Sequence, residues 1–125
     1  YQGDSSHGDF GKYGKDQMKM YNAIVSTVKE KIVGNPDFDG IIPSGTAVQN
    51  LRTSSLGDTL TADGYHLENA YGDYTASLTW FCTFTGENAY SMFYCPSSVG
   101  DHFHEIAEAV NNAVKKPFEV TESQY

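Results

Sequence analysis

Apolar residues recur along the chain in three helical stripes and one short continuous run. The first stripe is Tyr21, Ile24, Val25, Val28 and Ile32. Its spacing predicts a helix over about 16–33. Asp16 is placed to cap the start, Gly34 to end it, and Pro36 to block continuation. The second stripe, Tyr71, Tyr74, Leu78 and Phe81, predicts a helix over about 72–84 that stops near Gly86. The third, Phe103, Ile106, Val110, Ala113 and Val114, predicts a helix over about 101–115. Lys115 and Lys116 suit the negative end of its dipole, and Pro117 terminates it. The residues beyond it, to Tyr125, read as a loose tail.

The continuous run is "FDGIIP" (38–43), bounded by turn residues on both sides. It reads as one buried strand. "TAVQ" (46–49) directly after it matches a capping box between Thr46 and Gln49, so a short helix over about 47–53 is expected. The segments 1–15, 53–64 and 87–100 lack a period and read as loops. Four helices and a single strand are an odd census, because a lone strand cannot satisfy its own hydrogen-bonding ladder.

At 125 residues the chain suits one domain. A formal net charge of −8 at pH 7 argues against nucleic acid and anionic membranes as partners. No stretch approaches the roughly 20 apolar residues of a membrane span. The nine tyrosines suit a Tyr-rich surface. Cys82 and Cys95 leave open both one disulfide and two buried thiols. The first residue is Tyr1 rather than Met, which implies a processed chain or part of a longer one.

Three constellations carry possible chemistry. In "LTADGYHLENAYGDY" (60–74), Asp63 precedes His66 by three positions. A carboxylate that accepts from one imidazole nitrogen fixes the tautomer and leaves the other nitrogen as a base toward a hydroxyl. The plain alternative is that Asp63 caps the next helix with His66 packed beside it. "GDSS" (3–6) offers Ser5 as a nucleophile, but no buried strand precedes it to form the usual sharp elbow, so a Gly/Ser turn is the better reading. In "DHFHE" (101–105), His102 and His104 point to different sides of a helix, and His104 can pair with Glu108. Zinc needs three or four convergent ligands, which neither this stretch nor His7 with Asp4 or Asp9 supplies. No phosphate loop or dinucleotide fingerprint is present, so no cofactor is expected.

"IIPSGTAVQNLRTSSLGDTLTADGYHL" followed by "GDYTASLTWF" resembles the C-terminal part of an uncharacterised bacterial family within the SGNH (GDSL-like) hydrolase superfamily. "YQGDSSHGDFGKYGKDQMKMYNAIV" resembles the segment just before it, so the likeness covers roughly residues 1–85. It implies the C-terminal portion of a flavodoxin-like three-layer α/β/α fold, an incomplete domain over 1–125. It implies a serine ester hydrolase, with His66 as general base and Asp63 as its orienting acid. The nucleophile and oxyanion blocks of the superfamily are missing here, and Ser5 aligns with a later segment. The serine is therefore expected upstream of Tyr1, and the 125-residue chain alone is expected to be inactive. The lone "GIIP" strand would then be the last of a sheet whose other members precede Tyr1. The implied substrate is a small-molecule or carbohydrate ester. The implied partner is the missing part of the domain, or a second copy on the open strand edge. The reading from another class is a non-catalytic binding module using the Tyr-rich surface.

Overall fold

The computed structural model describes residues 1–125. Its elements are four α-helices: α1 (Gln17–Lys31), α2 (Ser44–Leu51), α3 (Tyr71–Thr85) and α4 (Phe103–Lys115). Short 3-10 turns lie at Gly8–Tyr13, Ala89–Ser91 and Gly100–His102. α1 begins as its sequence predicts, with the Asp16 carboxylate accepting from the Lys19 amide at 2.9 Å. α3 ends at Gly86 in the left-handed region (φ 73°), which a residue without a Cβ adopts freely.

No sheet forms, which overturns the α/β three-layer expectation. The β-type pairing is limited to one isolated antiparallel bridge, Thr61 with Leu67. The segment 38–43, expected as a strand, forms no regular element and pairs with no other strand. None of the amides of Asp39, Gly40, Ile41 or Ile42 donates a hydrogen bond within the chain. The reason is the one that made the census odd: the chain holds no second β-run for these groups to pair with.

The core is built by α2, α3 and α4. Leu51, Ile106, Ala107, Val110 and Ala113 are fully enclosed, together with Leu60, Ala89 and Val99 from the connecting loops. α2 is buried over six consecutive residues, Thr46 to Leu51. The capping box expected at its start does not form, since the helix begins earlier, at Ser44, with Pro43 before it. Thr46 Oγ1 instead donates to the Pro117 carbonyl at 2.6 Å, so it accepts from the Tyr21 hydroxyl at 3.0 Å. Along α3, Thr75, Thr79 and Cys82 face inward beside Leu78, while Phe81 is exposed. Thr75 and Thr79 tolerate full burial because their hydroxyls donate to the carbonyls of Tyr71 and Thr75 four residues back.

The stripe of α1 is the least enclosed. Tyr21 is its single buried residue, and Ile24 is exposed. With Val25, Val28, Ile41, Ile42 and Phe118 it borders an apolar trough of about 290 Å³. The tail after Pro117 is fastened to α2 and α4. The Thr121 amide donates to Asn50 Oδ1 at 2.7 Å, and Ser123 Oγ donates to Glu108 at 2.6 Å.

Asn50 is almost wholly buried and serves two elements at once, since its Nδ2 also donates to the Ala109 carbonyl at 3.1 Å. Asn50→Ala is expected to cost about 1–3 kcal/mol in urea unfolding. It is also expected to speed amide exchange at Thr121. Unchanged exchange there would show that the tail is held by other contacts.

Candidate functional site

The site is a loop mounted on the N-terminus of α3. The Ala62 amide donates to the His66 carbonyl at 2.9 Å, and the Glu68 amide to the Leu60 carbonyl at 3.1 Å. These bonds fold Asp63-Gly64-Tyr65 into a tight reversal. Gly64 sits at φ 91°, which only glycine holds without strain, and a Cβ there would stand 3.0 Å from Ser5 Oγ. Gly72 in the first turn of α3 lets the helix pass under the loop, because a Cβ would meet the Leu60 carbonyl at 2.7 Å. Glu68 secures the junction by accepting from the amides of Ala70 (2.9 Å) and Gly72 (2.7 Å).

Asp63 and His66 are in direct contact. His66 Nδ1 lies 2.7 Å from Asp63 Oδ2. Asp63 Oδ1 accepts from the amides of His66 (2.9 Å) and Tyr65 (3.2 Å). The bond from the His66 ring, followed by the bond from its amide, pulls the Asp63 carboxyl down to about 2. An ionised carboxylate only accepts, so Nδ1 carries the proton and Nε2 presents its lone pair. Nε2 has no partner within the chain, and the His66 side chain is 67% exposed. Asp63 does not cap the next helix, since α3 begins at Tyr71 without a side-chain cap; it closes its own turn, and His66 stands exposed beside it.

The other candidates are dispersed. Ser5 is buried behind Gly64, its Oγ accepting from the His7 amide at 3.3 Å, and it makes no bond to His66. His7 Nδ1 caps the first 3-10 turn by accepting from the Asp9 amide at 3.3 Å. The His104 ring lies tilted 5.9 Å from that of Tyr90 and does not pair with Glu108, which the Ser123 hydroxyl and the Gln124 amide occupy. Cys82 is buried and Cys95 exposed, both as free thiols, and burial pushes the Cys82 thiol up. No group of three or more His, Cys, Asp or Glu side chains is arranged to hold a metal. No helix is long and apolar enough to cross a membrane.

One pair escaped the sequence reading. His102 Nδ1 lies 2.9 Å from Glu105 Oε1, which also accepts from Ser55 Oγ at 2.9 Å. Burial raises the Glu105 carboxyl, but the bond from His102 and those from serine hydroxyls outweigh it and hold the group low. The i, i+3 spacing of His102 and Glu105 was the available signal, the same spacing as Asp63 to His66. The serine donates here to the carboxylate rather than to the imidazole. That ties the loop after α2 to the start of α4.

The low Asp63 value has a sign that can be checked. The folded carboxyl sits near 2 and an unfolded one near about 3.9. The stability it lends is therefore full above about pH 4 and drains as pH falls toward 2. In a carboxyl ¹³C titration, Asp63 is expected to have its midpoint at about 2, and His66→Ala to return it toward the ordinary range. An ordinary midpoint in the unsubstituted chain would mean that the contact is not populated in solution.

Comparison with known proteins adds three findings. The profile of the Domain of unknown function (DUF4886) family matches residues 1–114. No curated protein matches the chain. A crystal structure of a DUF4886 family protein from Bacteroides uniformis ATCC 8492 has a TM-score of 0.92 and 42% sequence identity to it. The similarity covers 98% of this chain and 47% of that one, so the chain spans about half the length of that solved protein. On the extent of the profile match and the identity to a solved member, the chain belongs to the DUF4886 family.

Proposed function

We propose that this chain carries the acid and base of a serine-dependent ester hydrolase of the SGNH type. The serine would come from a part of the family domain outside the chain. The observation that carries this reading is the Asp63–His66 contact at 2.7 Å, with Nε2 unpartnered and open. His66 Nε2 takes the proton of the serine hydroxyl as its oxygen attacks the ester carbonyl. Asp63 steadies the imidazolium that forms. The same proton then passes to the departing alkoxide as the ester C–O bond breaks. Water, deprotonated by His66, then attacks the acyl carbon, and that proton passes to the serine oxygen as its bond to the acyl group breaks, which frees the acid and restores the serine. The oxyanion donors belong with the serine. The substrate class is a small-molecule or carbohydrate ester, on the resemblance of the "IPSGTAVQN" and "DGYHL" segments.

Two features favour completion by further polypeptide. The solved family member is about twice as long as this chain. The trough beside Tyr1 and Tyr65 is apolar, and the adjoining amides of residues 39–42 are unpaired. Exposed apolar surface with free backbone donors suits a covering segment of the same domain.

A second reading is a binding module. It is favoured by aromatic rings exposed elsewhere: Trp80 beside Phe84, and separately Phe93 and Tyr94, with Phe93 98% exposed.

Turnover of p-nitrophenyl acetate separates the two readings. This chain alone is expected to show none. A family protein holding the whole domain is expected to turn over, and Asp→Asn at the position of Asp63 to lower kcat by about 10⁴-fold. Full activity in that variant would remove Asp63 from the mechanism. Activity of the isolated chain that Ser5→Ala abolishes would place the nucleophile at Ser5 instead.

A further inference from the structure

An exposed histidine with one hydrogen bond is poorly held. The ring of His66 can swing about its side-chain bonds, and a surface contact to a carboxylate contributes little against that freedom. A general base must nevertheless sit within hydrogen-bond reach of one proton, and a misplacement of about 1 Å can cost about 100-fold in rate. Asp63 alone does not meet that demand, so the neighbours of the ring matter.

The nearest aromatic ring is that of Tyr65, with its centroid 4.0 Å from that of His66. Tyr65 in turn lies 4.7 Å from His7 and 6.2 Å from Tyr1. His7 stacks on Tyr1 at 5.0 Å, and Tyr1 leans on Phe10 at 5.1 Å. Phe10 is fully buried, so this cluster of mostly tilted rings has a fixed end. The backbone follows the same route. The Gln2 amide donates to the Gly64 carbonyl at 2.8 Å, and Ser5 fills the space behind Gly64. Thr61 Oγ1 donates to Gln2 Oε1 at 2.7 Å. Tyr65 itself enters hydrogen bonding through its amide, which leaves its ring to the stack.

We propose that Tyr65 is a positioning residue for His66, itself held by His7 and the Tyr1–Phe10 pair. The proposal rests on the reading of His66 as the base. Asp63 fixes the tautomer and one edge of the imidazole. Tyr65 closes off one side, so that Nε2 keeps a single outward direction. The N-terminal ten residues thereby aim a base that stands far along the chain.

The test uses His66 ring protons in this chain, observed by NMR without substrate. Tyr65→Leu is expected to remove the ring-current shift of the His66 signals, and Tyr65→Phe to retain it. His7→Ala is expected to move the same signals partway, which covers the case of a Leu variant that folds poorly. In the complete domain, Tyr65→Leu is expected to lower kcat by about 10- to 100-fold with KM unchanged, and Tyr65→Phe to restore it. Ring signals unmoved by Tyr65→Leu, or a Phe variant that behaves like Leu, would overturn the proposal. An intact stack in a domain without esterase activity would instead overturn the hydrolase reading, so the two failures are told apart.

Discussion

The burial of α2 on every side is the constraint on which the rest depends. A helix of eight residues is too short to be stable alone. Here it survives because neighbours cover it all round and because its polar side chains are used as ties. Thr46 joins α1 to the start of the tail, through Tyr21 and the Pro117 carbonyl. Asn50 joins α4 to the tail. Leu51 supplies the apolar contact between them. Each of these buried polar groups is costly without its partner, so together they admit one arrangement of the surrounding segments.

Arg52, directly after α2, extends that arrangement to the N-terminus. Its Nε lies 3.0 Å from Asp58 Oδ1, and a second nitrogen donates to the Tyr1 carbonyl at 3.0 Å. Gln17 bonds the same two groups, and the Gly3 amide reaches Asp58 Oδ2 at 2.7 Å. The first residues of the chain are thus pinned against the loop after α2. From there Tyr1, His7 and Ser5 meet the Asp63–His66 turn. The candidate site is held from two directions, by α3 below through Gly72 and by the N-terminal segment beside it.

The two histidine–carboxylate pairs show how setting decides chemistry. Both have three-residue spacing and Nδ1 bonded to the carboxylate. Glu105 is buried and shared with a serine, so its pair works as a strut. Asp63 and His66 are the more exposed pair, their side chains 47% and 67% open against 10% and 34% for Glu105 and His102. Spacing alone does not tell a buried strut from an exposed pair.

What local physics controls can be read along the chain. The existence of α1 and α4, the Asp16 cap and the stop at Gly86 follow from periodicity and backbone preference, although Ile24 and Val114 of the two stripes stand exposed. The contact between Asp63 and His66 was legible too, because three residues and a glycine suffice to close it. Partners distant in the chain were not legible. A pattern says that Thr46 is polar, not that Pro117 and Tyr21 will use its hydroxyl in place of a capping box. It says that Phe81 fits a stripe, not that threonines bonding back along the helix will face the core instead. It marks "GIIP" as extended, but strand pairing is a long-range bond, and the chain offers these amides no partner. The stack from Phe10 to His66 joins residues more than fifty positions apart, and only the folded chain brings their rings together.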